Sequence, residues 1–349
     1  MRVAGVASAF PARYYEQEEI LAALKRQWGD RLPRPERLER LHRRAGVNGR
    51  YLALPLESYA DLHTWGQANA VWFRVAEELG ASALGRALAA AEVDPDDLGA
   101  LFVVSITGIA SPSLDARLIN RMGLNRHIKR VPVFGLGCVG GAAGLARAAD
   151  YVRAHATEAA ALVAVELCSL TFQRDDLSTA NQISSGLFGD AAAAVVVTGA
   201  ARAGGGPRIR ATRSIFYPGT EDVMGWDISE RGFRIVLSRG VPEMVKRHLA
   251  DDVDAFLADH GLARRDVGCW VIHPGGPAVL EAVQEALEPP AGALDPAWDC
   301  LRKVGNASSV SVLLVLEEIM RRHRPAPGTW GLLAALGPGF CSELVLLRW

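Results

Sequence analysis

Val131-Pro132-Val133-Phe134-Gly135-Leu136-Gly137-Cys138-Val139-Gly140-Gly141-Ala142-Ala143-Gly144 passes from a valine-rich segment through glycines into a run of small residues. The first part predicts a strand over Val131–Gly135, and the second an amphipathic helix reaching about Val152. Cys138 falls where the one turns into the other. A cysteine at such an elbow presents its sulfur at a helix N-terminus, where the dipole favours the thiolate. Taken alone, it reads more readily as a small buried hydrophobe.

Working outward, Ala100–Ser105, Ala161–Leu167 and Ala191–Val197 are short apolar runs that predict buried strands. Helices are expected over 19–30, 35–45 and Gly66–Ala91. Ser111-Pro112 reads as an N-cap and first helical position of a helix ending near Gly123.

The second half repeats the order of the first. Asp97-Leu98-Gly99-Ala100-Leu101-Phe102-Val103-Val104 is echoed by Asp266-Val267-Gly268-Cys269-Trp270-Val271-Ile272. Cys138 and Asn306 each stand just before a helix of small and apolar residues. Phe188-Gly189-Asp190 and Gly337-Pro338-Gly339 then mark matching positions late in each half. The expectation is an α/β fold of two duplicated halves, each a βαβαβ-type unit. Gly204-Gly205-Gly206-Pro207 divides them into 1–204, carrying Cys138, and 205–349, carrying His273 and Asn306.

The 349 residues can bury a sizeable core, and a net charge of -1 gives no reason to expect nucleic acid or an anionic membrane as partner. One local exception is Arg31–Arg50, with seven arginines. Arg37, Arg40 and Arg44 share one helical face there. The five cysteines are scattered without a Cys-x-x-Cys, which argues against a disulfide framework and a structural zinc site. No signal-peptide core or membrane-length apolar run is present. A cytoplasmic protein with reduced thiols is expected.

Three residues from separate segments form a chemically coherent set. His273 ends an apolar strand and is held by Pro274-Gly275-Gly276-Pro277. Asn306, between Gly305 and Ala307, reads by itself more readily as a helix cap. Together with Cys138 they suit acyl transfer. The thiolate captures an acyl group from a thioester, and the imidazole and carboxamide donate to the carbonyl oxygen of a malonyl thioester. That stabilises the enolate left when carbon dioxide departs, and its carbon attacks the acyl-cysteine. Glu166, a charge inside an apolar strand, is either a general acid or base or a hydrogen-bonded structural carboxylate.

Six stretches bring a family into view: Gly137-Cys138 with its small-residue helix, Glu166–Phe172, Leu187–Ala193, Ile272–Pro277, Gly305–Ser309, and Gly337-Pro338-Gly339-Phe340 running to Trp349. In order and spacing the chain resembles the type III polyketide synthases, the chalcone synthase-like branch of the thiolase superfamily. The resemblance implies a thiolase-like, five-layered αβαβα fold and a homodimer. Cys138 would be the nucleophile, with His273 and Asn306 as its partners. Acyl-CoA and malonyl-CoA would be substrates, with no cofactor, metal or carrier protein, and the product a pyrone, resorcinol or related ring.

By the same resemblance, Arg37, Arg40 and Arg44 match cationic positions at the mouth of the coenzyme A tunnel, and Phe188 matches an aromatic gatekeeper. Ile106, Thr107, Cys168, Leu170, Thr171, Ile235 and Ser308 match cavity positions. Cys168 stands where plant members carry threonine, and Ile235 where they carry phenylalanine. Some naphthalene-forming bacterial members have a cysteine at the position of Ile106, so that product is less expected. Ser111 replaces a methionine that reaches the partner subunit. A more aliphatic cavity suggests an alkyl starter. The alternatives are a β-ketoacyl-acyl-carrier-protein synthase of the initiating type, whose histidine is usually followed by Gln-Ala-Asn, and a catalytically inactive thiolase-fold subunit.

Overall fold

The fold was analysed in a computed structural model that describes residues 1–32, 34–202 and 204–349. In chain order the strands are β1 (Arg2–Ala9), β2 (Arg13–Glu16), β3 (Gly49–Leu52), β4 (Leu98–Val104), β5 (Lys129–Val133), β6 (Ala159–Leu167), β7 (Asp190–Thr198) and β8 (Arg208–Phe216). They continue with β9 (Met224–Ser229), β10 (Gly232–Leu237), β11 (Val267–Ile272), β12 (Trp330–Gly337) and β13 (Cys341–Arg348). Nine of them form one mixed sheet in the order β11-β12-β13-β8-β1-β7-β6-β4-β5. Pairing β2–β3 and β9–β10 gives two small hairpin sheets.

The large sheet is two sheets joined at a pivot, because β1 and β8 are linked only through Arg2 and Arg208. On one side the order is β5-β4-β6-β7-β1, with β4–β6 parallel and β6–β7 and β7–β1 antiparallel. On the other it is β11-β12-β13-β8, with β11–β12 parallel and β12–β13 and β13–β8 antiparallel. The second side thus repeats the first, strand for strand and sense for sense, but lacks the partner of β5. The two halves also meet at Asn306, which makes an isolated parallel bridge to Phe188 of the other half.

The helices are α1 (Gln17–Trp28), α2 (Pro35–Arg44), α3 (Trp65–Ala91), α4 (Leu114–Met122), α5 (Gly140–Ala154), α6 (Thr179–Leu187), α7 (Val241–Ala258), α8 (Pro277–Leu287), α9 (Asp295–Val304) and α10 (Ser311–Glu318). Helix α3 covers the outer face of β1, β6 and β7, whereas α5 and α10 touch strands of both sides. With α7 and α8 packed together on the other flank, the layers read αβαβα. Within β4, Leu101 and Val103 face the α3 core, while Ala100, Phe102 and Val104 face the core containing α5. Burial on both faces is why these strands read as unbroken apolar runs.

One helix start differs from expectation. Ser111 and Pro112 lie in the loop, Ser113 is extended at φ -66° and ψ 163°, and α4 begins at Leu114. Gly123 ends it in the left-handed region, as anticipated.

Candidate active site

The elbow is built by glycine where a side chain would not fit. Cys138 lies in the short 3-10 turn Gly137–Val139 that feeds α5. Gly137 has φ +52°, and a Cβ there would stand 2.8 Å from Pro338 Cδ. At Gly141 a Cβ would come within 2.1 Å of the Ser309 carbonyl oxygen. The small-residue run is therefore a close-approach surface that lets the 308–309 segment pack against the start of α5.

That segment carries the second functional group. Asn306 is held from both sides, its N–H donating to Leu187 O at 2.9 Å and its carbonyl accepting from Gly189 N at 3.0 Å. Its Nδ2 donates to Gly275 O at 3.0 Å, and its Oδ1 accepts from Ser308 N at 2.8 Å. Ser308 follows at φ +49°, a left-handed conformation rare for a non-glycine residue. Gly275 is also where His273 lies, since a Cβ on Gly275 would be 3.5 Å from His273 Nε2. Asn306 thus reaches the turn of His273 through its amide, while Ser308, bonded to its Oδ1, lines the same cavity as Cys138.

His273 follows β11, its N–H donating to Ala334 O at 3.0 Å. It is 2% exposed, and neither ring nitrogen has a hydrogen-bond partner among the described residues. Burial pushes its pKa down to about 4. Burial likewise pushes the Cys138 thiol up to about 11, with the charge of Glu166 adding to the rise and Ser308 and Asn306 opposing it. Each group by itself is neutral near physiological pH.

Glu166 is fully buried at the end of β6. Its Oε2 accepts from Ile106 N at 3.1 Å and Thr107 Oγ1 at 2.9 Å, and its Oε1 from Ser309 Oγ at 2.5 Å. The carboxylate ties the loop after β4 to the segment beside Cys138. Burial raises its pKa to about 7, against those hydrogen bonds. The folded state then holds a proton that the unfolded chain releases near 4.5, so Glu166 withdraws stability as pH rises from about 4.5 to 7. Relative to Glu166→Gln, the wild type is expected to lose about 2–3 kcal/mol of stability between pH 4.5 and 7.5. Denaturant melts of both proteins across that range check this, and a gap independent of pH contradicts it.

A cavity of about 500 Å³, its open mouth included, contains Cys138 together with Ile106, Thr107, Cys168, Thr171, Phe188, Ile235 and Ser308. Leu170 is not with them. Cys168–Thr171 is a 3-10 turn, in which residues three apart share a side. Cys168 and Thr171 therefore face the cavity, while Leu170 turns into the core against α3. Trp226 was missed by sequence reading. It lines the cavity from β9 as the cross-strand partner of Ile235, and its Nε1 donates to Ile106 O at 2.9 Å. Arg37 on α2 donates to Thr179 Oγ1 at 2.6 Å, at the start of α6, while Arg40 and Arg44 are exposed on the same helix. None of the three lines the cavity.

All five cysteines are free. Among the described residues, no group of three or more His, Cys, Asp or Glu is placed to hold a metal ion, and no helix is long and apolar enough to cross a membrane.

The chain matches the family described as chalcone and stilbene synthases, through its N-terminal domain over residues 2–201 and its C-terminal domain over residues 208–349. It is 54% identical to a 1,3,6,8-tetrahydroxynaphthalene synthase from Streptomyces peucetius subsp. caesius, covering 99% of this chain and 93% of that protein. Identity to a putative chalcone synthase of Bacillus subtilis (strain 168) is 32%, covering 99% and 98%. Among solved structures, the 1,3,6,8-tetrahydroxynaphthalene synthase of Streptomyces coelicolor A3(2), described as a bacterial type III polyketide synthase, superimposes with a TM-score of 0.95. That match is 32% identical and covers 100% of this chain and 99% of the other.

Proposed function

Since this chain belongs to the chalcone and stilbene synthase family and is a type III polyketide synthase, an acyltransferase, we propose that its chemistry runs through Cys138, His273 and Asn306. The observation that carries this is the placement of Asn306, whose amide bonds the Gly275 carbonyl beside His273 and whose neighbour Ser308, held by its Oδ1, shares a cavity with Cys138. In the loading step the thiol proton passes to His273, and the imidazolium offsets the new charge on sulfur. The sulfur attacks the starter thioester carbonyl, and coenzyme A leaves as its thiol. In the extension step the ring N–H of neutral His273, which has no other partner among the described residues, and the second N–H of Asn306 supply donors for the malonyl thioester oxygen. Carbon dioxide departs, the enolate carbon attacks the acyl-cysteine, and the Cys138 thiolate is released. Arg37, Arg40 and Arg44 fit the phosphates of coenzyme A, and Phe188, bridged to Asn306, fits a gate.

For the starter we propose malonyl-CoA itself. The alkyl expectation rested on the loss of aromatic side chains, and Trp226 restores one, pinned in the cavity wall by Ile106 O. The name of the 54% identical relative supports a small starter. Incubation with malonyl-CoA alone is then expected to yield a polyhydroxylated aromatic, identified by mass spectrometry. Preference for long alkyl or aromatic starters overturns this reading. Trp226→Ala is expected to raise the ratio of hexanoyl-primed to malonyl-primed product about tenfold or more. An unchanged ratio means that Trp226 does not limit starter size. A homodimer fits the open edge of β5, beside which Ile109 is 47% and Phe134 44% exposed.

A further inference from the structure

A second pocket of about 620 Å³, its mouth included, shares a wall with the catalytic cavity, because Cys168, Thr171, Ser184 and Phe188 line both. The rest of its lining is largely apolar, from residues such as Ile20 and Leu24 of α1 and Leu56. Tyr59, Ser169, Thr171, Ser184 and Ser185 add hydroxyls, and two further lining residues carry nitrogen donors. Arg50 Nε and Gln27 Nε2 are buried donors with no hydrogen-bond partner among the described residues.

Arg50 is 1% exposed, and its other nitrogens are engaged by Gln17 Oε1 and by the carbonyls of Ser185 and Gly186. Its neighbouring countercharge is Asp190. The oxygens of Asp190 already accept from Ala53 N, Ser169 N and Ser169 Oγ. A buried guanidinium with one open donor, beside an apolar space and a second open donor, is suited to an oxyanion on a partly apolar ligand.

The catalytic cavity offers nothing of that kind, since no charged side chain lines it. A chain primed with malonyl carries a free carboxylate at the end remote from the acylated sulfur. In an uncharged cavity that carboxylate loses its hydration without a partner, whereas a neutral starter has no such need. We propose that the side pocket receives the distal carboxylate of a malonyl-primed chain, with Arg50 as its cation and Gln27 as a second donor. The pocket thereby selects a dicarboxylic starter. In the loading step this requires, the bond from Cys138 sulfur to the thioester carbonyl forms and the bond to coenzyme A sulfur breaks, while the distal carboxylate stays intact and no carbon dioxide is lost.

This inference rests on the malonyl-starter reading, and the test separates the two. Arg50→Gln would also release the carbonyls of Ser185 and Gly186, so the decisive variants are Gln27→Leu and Ala23→Phe, the latter filling the pocket from α1. Each is assayed with acetyl-CoA and malonyl-CoA together, and acetyl-primed and malonyl-primed products are separated by mass. Malonyl-primed kcat/KM is expected to fall about tenfold or more, while acetyl-primed product changes less than about twofold. An equal fall in both products, or no change in either variant, overturns the side-pocket assignment alone. A wild-type enzyme that forms no malonyl-primed product overturns the starter reading and this assignment with it.

Discussion

Cys138→Ser lowers turnover by a factor on the order of 10⁴ or more and abolishes acyl-enzyme accumulation, with little change in melting temperature. The size of the effect follows from the surroundings of the sulfur. The residue is 7% exposed, and burial holds even its thiol proton tightly, pushing the pKa up to about 11. A serine hydroxyl at the same point starts from a far weaker acid, and the same neutral imidazole would have to remove its proton. The side chains are nearly isosteric, so the elbow around Gly137 and the packing of α5 stay as they are. The measurement pairs steady-state product formation with intact-protein mass after exposure to acyl-CoA. Residual turnover within about tenfold of wild type removes Cys138 from the nucleophile's role.

Asn306→Ala gives the second largest loss and splits the reaction. Turnover falls about 10²–10³-fold, the range seen when one preorganised donor to a developing oxyanion is removed. Loading of Cys138 by an acyl-CoA changes by only a few-fold. The reason lies in the division of labour. His273 suffices to take the thiol proton, but the malonyl enolate loses one of the donors that stabilise it. Release of carbon dioxide from malonyl-CoA therefore falls in step with product, and acyl-enzyme builds up. The variant also loses the bonds to Gly275 O and Ser308 N, so a thermal melt accompanies the kinetics. If loading and decarboxylation fall by the same factor with stability unchanged, Asn306 acts on the sulfur and not on the enolate.

Much of this arrangement is legible in the sequence because it depends on local constraints. Strands buried on both faces leave continuous apolar runs, so β4, β6 and β7 are visible, with ends moved by one or two residues. The close approach of α5 to Ser309 leaves Gly140-Gly141 and Gly144. Asn306 and Phe188 each sit in a distinctive stretch because each is pinned by the other's backbone. What stayed hidden depends on contacts across the fold. Trp226 lies on a short hairpin with no continuous apolar run to mark it, and only its pairing with Ile235 across the two strands places it in the cavity wall. Leu170 matches a cavity position of the family, although a 3-10 turn sends it to the opposite side from Cys168 and Thr171. Arg50 reads as one more arginine of a basic segment, yet it is buried under α6, and only its bonds to Ser185 and Gly186 set it apart from Arg40 and Arg44.

The claim on which the rest depends is that acyl groups travel on one sulfur of the five. Wild-type protein incubated with acyl-CoA, quenched, digested and mapped by peptide mass spectrometry tests it without any substitution. A single acyl adduct on the peptide containing Cys138, with Cys168 in the same cavity unmodified, is the expected result. Acyl groups on Cys168, or none on Cys138 while product forms, would contradict it.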